Sequence, residues 1–161
     1  MTEHGSNGGH GEGAKSSVIG EMSRPAQMAV LPEILEFVST IERQEGFSDE
    51  RIGEIEKALR EALVNIVRSA ERQKGGDIIV TCKHDPWGKL VIVIVDTAEP
   101  FNILLADIVF QGEETPVDEG RRDSARLIKR MIDNIEQKRV DETNVLTFTV
   151  SPRLRAKQQG R

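Results

Sequence analysis

The chain has 161 residues, a net charge of −5 and a single cysteine. That length suits one domain with a real core, and the negative balance argues against general nucleic-acid binding. No apolar run reaches the length of a membrane span, the N-terminus lacks the basic-then-apolar layout of a secretion signal, and Cys82 has no partner for an internal disulfide, so a reducing cytoplasm is the expected home.

Residues 1–17 are rich in Gly, Ser, Asn and His and are expected to be a disordered tail, in which His4 and His10 are fixed by nothing. The folded domain is expected over 18–151, followed by a basic tail over 152–161. Val18 to Met22 reads as a short edge strand. Leu31, Ile34, Leu35, Val38 and Ile41 recur at helical spacing, with Glu33 favourable in the first turn and Gly46 as the stop. Ser48 caps a second, longer helix whose apolar stripe runs to about Gln73 and ends at Gly75-Gly76. On it, Glu61 and Asn65 lie four apart and so one turn apart on one face. A carboxylate beside a carboxamide can hold a hydrated Mg²⁺ and a water or hydroxyl, because Mg²⁺ takes oxygen ligands and keeps several waters. The same pair also fits a plain solvated helix face.

The period then changes from helix to strand. Ile78 to His84 and Leu90 to Val95 flank the turn residues Asp85-Pro86-Trp87-Gly88, which predicts a hairpin. Cys82 falls in the first run and reads as a packed core thiol. The second run is continuously apolar, as in a central strand. Asp96 closes it, either as a turn former or as a ligand contact. Thr97 to Gly120 is a long connection, of the length that is usually functional or mobile, with apolar anchors such as Phe101, Ile103 and Phe110. A third helix is expected over Asp123 to Glu136, and a last strand over Asn144 to Val150, reached through Arg139 to Thr143.

Three motifs occur in a fixed order: Glu61-Ala62-Leu63-Val64-Asn65, Asp96-Thr97-Ala98-Glu99-Pro100-Phe101, and the stretch from Gly120 to Asp133 containing Leu127-Ile128-Lys129-Arg130-Met131. Together they resemble the N box, the adenine box and the lid-to-helix stretch of the GHKL, or Bergerat-fold, ATPase superfamily. More narrowly the chain resembles bacterial anti-sigma factor serine kinases. The resemblance covers about residues 18–150. It implies an α/β two-layer sandwich with three helices on one face of a mixed, mostly antiparallel sheet, and ATP and Mg²⁺ as cofactors. Position by position it implies Glu61 as the general base that takes a serine or water proton, Asn65 as the Mg²⁺ ligand, and Asp96 as the acceptor of the adenine amino group. Asn144 stands where many relatives place a threonine near that Asp. The implied partners are an anti-anti-sigma (STAS-type) protein, a sigma factor and a second copy of the chain, with no direct nucleic acid and no membrane.

Two departures bear on function. Ala98 replaces the usual glycine of the adenine box, which suits only a negative φ. In Gly120-Arg121-Arg122-Asp123-Ser124-Ala125-Arg126 only Gly120 remains of a run whose bare amides hold phosphates in relatives. Arg121 and Arg122 at a helix start run against the dipole unless an anion lies there. Either the arginines replace the amide contacts, or the site has decayed and a partner-binding surface remains. The leading expectation is a partner-switching serine kinase; the alternative is a non-catalytic binding module of the same fold. A detached ATPase domain of a histidine kinase is third, since no His-bearing dimerisation helix precedes it in this sequence.

Overall fold

The computed structural model describes residues 17–105 and 119–152. The tail with His4 and His10, the part of the long connection carrying Phe110, and the basic tail from Arg153 lie outside the described residues. The elements in chain order are β1 (Ser17–Pro25), α1 (Leu31–Gln44), α2 (Asp49–Arg72), β2 (Asp77–His84), β3 (Leu90–Asp96), α3 (Glu119–Met131), β4 (Asn134–Val140) and β5 (Thr143–Val150), with 3-10 turns at Met28–Val30 and Ile103–Leu105.

Among the described residues the strands form one five-stranded sheet in the order β1-β2-β3-β5-β4, antiparallel at every pairing. Alternate residues of the inner strands, such as Val80, Ile92, Ile94, Leu146 and Phe148, are buried against Ile34, Val38, Leu59, Leu63 and Val67 of the helices. This is the expected two-layer α/β arrangement, with the sheet antiparallel throughout rather than mixed. β3 is the central strand, as its unbroken apolar run implies.

Local chemistry sets the helix ends. Pro32 lies in the first turn of α1, where its missing N–H costs nothing. At the other end Phe47 N bonds Glu42 O at 3.0 Å and Gly46 N bonds Arg43 O at 3.1 Å, with Gly46 at φ 85°. That is a Schellman stop, and the positive φ is why glycine ends this helix. Ser48 Oγ accepts from Arg51 N at 3.1 Å and caps α2.

Two expectations fail at the C-terminal half. The third helix starts four residues before Asp123 and ends at Met131, so Ile135 and Glu136 belong to a strand. That strand, β4, and its hairpin to β5 were not expected. β4 is an edge strand with mostly exposed residues, so its sequence Asn-Ile-Glu-Gln-Lys-Arg-Val lacks an apolar alternation. Its turn is Asp141-Glu142, both at positive φ (44° and 63°). This two-residue turn geometry normally announces itself by Asn-Gly or Asp-Gly.

Arg51 ties the ends of the fold together. Its side chain is 3% exposed; Nη2 bonds Asp133 Oδ2 at 2.9 Å, Nη1 bonds Met131 O at 2.6 Å and Glu54 Oε2 at 3.1 Å, and Nε bonds Ser151 O at 3.0 Å. Asp133 Oδ2 in turn accepts from Ser151 N at 2.8 Å. The start of α2, the end of α3 and the end of β5 thus share one guanidinium.

Glu42 is a second buried ionisable group, and it is not paired in this way. It is 1% exposed, its Oε2 has no hydrogen-bond partner among the described residues, and burial pushes its carboxyl up to about 8, against the lowering influence of Arg51. Folding therefore takes up a proton at Glu42 at any pH between the ordinary carboxylate value and about 8. The stability this provides is complete below the unfolded value and is lost as pH rises through 8. Urea unfolding should show wild-type stability falling by on the order of 2 kcal/mol between pH 6 and pH 8 relative to Glu42→Gln, at 1.36 kcal/mol per unit. Parallel pH curves for the two proteins would refute the buried-proton account.

Candidate functional site

The second helix delivers Glu61 and Asn65 to the same place. Asn65 is 4% exposed, held there because its neighbours on the stripe, Ala62 and Leu63, face the core. Its Nδ2 donates to Glu61 O at 2.7 Å and to Ser124 Oγ at 3.1 Å. Its Oδ1 is buried and has no partner among the described residues. An orphaned carboxamide oxygen in a polar cluster costs about 1–3 kcal/mol unless a ligand satisfies it. Oxygen is also the donor that Mg²⁺ prefers. The residues present therefore fit a Mg²⁺ ligand at Asn65.

Glu61 has a partner that the sequence did not advertise. Ser124, in α3, donates from Oγ to Glu61 Oε2 at 2.5 Å, and Gly120 O lies 2.9 Å from the same hydroxyl. Ser124 is 3% exposed. On its open side Glu61 borders a cleft of about 380 Å³ that α3 lines with Asp123, Arg126, Leu127 and Arg130.

The third acid sits on the sheet. Asp96 ends β3 and pairs across the ladder with Asn144 of β5. Asp96 Oδ1 accepts from Ala98 N and from Asn144 Nδ2, both at 3.0 Å. Both bonds converge on Oδ1, so Oδ2 carries the carboxylate's remaining acceptor capacity. Asp96 is 4% exposed, and burial raises its pKa against the opposing hydrogen bonds from Asn144 and Ala98 and the charge of Arg139. Asp96 also lines a small cleft. Ala98 is not among the described residues with positive φ, so its methyl needs no glycine-like backbone and packs inward.

Between Asp96 and Asn65 lies a second cleft, lined also by Ile66, Phe101, Ile103 and Leu146. Its internal volume is about 20 Å³, room for about one water. Phe101 forms one wall of this cleft. Its segment is held by the unexpected strand β4. Gln137 Nε2 donates to Phe101 O at 2.6 Å, and Arg139 Nη1 donates to Ala98 O at 2.7 Å and Asn144 Oδ1 at 3.2 Å.

The structure thus gathers Glu61 and Asn65 around Ser124, and Asp96, Ala98 and Asn144 around the small cleft. Gly120 reaches the first group through its carbonyl. Arg121 stacks over the Phe101 ring at 4.4 Å, a cation–π contact that joins α3 to the wall of the small cleft. Arg122 is half-buried on α3 and lines neither cleft. Sequence reasoning missed Ser124, Gln137 and Arg139. Ser124 had one signal, its place three residues before Leu127, where the apolar stripe of the helix begins, in a run otherwise read for glycines. Gln137 and Arg139 had none, because their strand was not recognised.

The family model described as a histidine kinase-like ATPase domain matches residues 24–150. No curated protein matches the chain.

Proposed function

Because this chain belongs to the histidine kinase-like ATPase domain family, we propose that it is an ATP-dependent regulator of the serine-kinase type, which binds Mg-ATP and takes a protein with an acceptor serine as its partner. The observation that carries this reading is the bond from Ser124 Oγ to Glu61 Oε2 at 2.5 Å: the candidate base is positioned to accept from a serine hydroxyl, beside a carboxamide oxygen with nothing to bond. Asp96 Oδ2 receives the adenine amino group, and the apolar walls from Ile66, Phe101 and Leu146 receive the ring. Asn65 Oδ1 holds Mg²⁺, which when bound neutralises phosphate charge. Glu61 takes the proton of an acceptor hydroxyl brought through the cleft under Arg126 and Arg130.

By resemblance the partners are an anti-anti-sigma (STAS-type) protein and a sigma factor, with a second copy of this chain in a homodimer. A cytoplasmic location accords with this reading, and no helix among the described residues is long and apolar enough to cross a membrane. A second reading, a non-catalytic binding module, is favoured by one observation: the cleft beside Asp96 has room for about one water.

Asp96→Asn tests the nucleotide half. The new amide keeps an oxygen toward Ala98 N and Asn144 Nδ2 and so turns its NH₂ into the cleft, donor against donor for an adenine amino group. Calorimetry with Mg-ATP should show affinity falling by roughly 10–150-fold, the worth of a hydrogen bond to a charged group, with the melting temperature maintained. Equal affinity in variant and wild type, or no ATP binding by wild type, overturns the assignment.

A further inference from the structure

We infer that Ser124 is an internal stand-in for the acceptor serine, and that its hydroxyl latches the start of α3 onto Glu61 and Asn65 so that the site opens only when this latch is released. The inference rests on the nucleotide-binding serine-kinase reading above and adds how that site is controlled.

Three observations converge on it. Ser124 Oγ donates to Glu61 Oε2 at 2.5 Å and accepts from Asn65 Nδ2 at 3.1 Å, so one hydroxyl engages both residues that the chemistry needs. The contact joins residues 63 apart in sequence on two helices, and it is 3% exposed at Ser124, so it is a tertiary bond and not a surface accident. Asn65 Oδ1 stays unpartnered although the cluster supplies a hydroxyl within reach of the same side chain. The hydroxyl has one proton, and Glu61 receives it at the shorter distance; the carboxylate is the stronger acceptor. The orphaned oxygen is therefore left for a ligand, while the hydroxyl seat is filled from within.

The arrangement predicts competition. A partner serine can reach Glu61 Oε2 only by displacing Ser124, and a ligand at Asn65 Oδ1 meets the same helix start. An isolated serine on a helix is no device by itself; here its hydroxyl donates to the Glu61 carboxylate and accepts from the Asn65 carboxamide.

The test uses the full chain with Ser124→Ala, and Ser124→Thr as the variant that keeps a hydroxyl. In the protein without nucleotide, hydrogen–deuterium exchange of the α3 amides should quicken about tenfold in Ser124→Ala, with α1 unchanged. Calorimetry should then show Mg-ATP bound about tenfold more tightly than by wild type, with adenosine affinity unchanged, since the latch competes at the phosphate and acceptor end. Ser124→Thr should behave as wild type in both. Unchanged exchange overturns the latch. So does quicker exchange with Mg-ATP affinity equal to or below that of wild type, because a contact that only stabilises α3 gives that pattern. If neither form binds Mg-ATP, the nucleotide reading fails and the latch falls with it; the wild-type titration separates that failure from failure of the latch alone.

Discussion

Glu61→Gln should leave Mg-ATP bound while lowering phosphoryl transfer to a partner serine by roughly 10²–10⁴-fold, the usual worth of a positioned general base. The substitution is nearly isosteric, and its carbonyl oxygen can still accept from Ser124 Oγ, so α3 stays docked. What is lost is the ability to take a proton. Asp96 and the carboxamide of Asn65 are untouched, because they lie on β3 and one turn further along α2. A radiolabel assay against a serine-bearing partner, run beside an ATP titration, reads the two halves separately. Equal transfer by Glu61→Gln and wild type removes Glu61 as the base. Loss of binding in parallel with transfer assigns it to the fold or to nucleotide affinity instead.

The second large effect is on stability. Arg51→Ala should destabilise the protein by about 3–5 kcal/mol, the cost of removing one partner from a buried ion pair. The alanine leaves Asp133 Oδ2 with only Ser151 N, and it leaves the carbonyls of Met131 and Ser151 without their charged donor. It also frees the start of α2 from the ends of α3 and β5, so unfolding of the C-terminal segment should precede or accompany the loss. Denaturant unfolding followed by far-ultraviolet circular dichroism gives the number. A double-mutant cycle with Asp133→Asn gives the coupling, which should exceed 0.5 kcal/mol for groups in direct contact. Additive single effects would show the pair to be dispensable. The contrast with Glu42 is instructive: Arg51 is buried with four acceptors, whereas Glu42 is buried with an unpaired oxygen and answers by holding its proton.

Much of this molecule was legible from residues in order. The helix stripes, the Ser48 cap, the Gly46 stop and the β2–β3 hairpin are local events, decided by periodicity, a side-chain oxygen at one helix start and positive φ at one glycine. The motif order from Glu61 to Asp96 pointed to the family that the match over 24–150 establishes. Cys82, expected to be a packed thiol, is fully buried with its pKa pushed up to about 12.

Other features exist only through contacts between distant segments. β4 has neither apolar alternation nor a glycine turn; it is a strand because its backbone pairs with β5, and a ladder carries no signature in an exposed edge sequence. Gln137 and Arg139 become groups that hold the Asp96 cleft only once that strand lies beside it. Ser124 meets Glu61 from 63 residues away because α3 packs on α2. The sequence by itself determined that Glu61 and Asn65 share a helix face, since four residues make one turn. Only the tertiary structure decided that the face is already engaged by a serine, since which hydroxyl reaches a carboxylate depends on how helices dock.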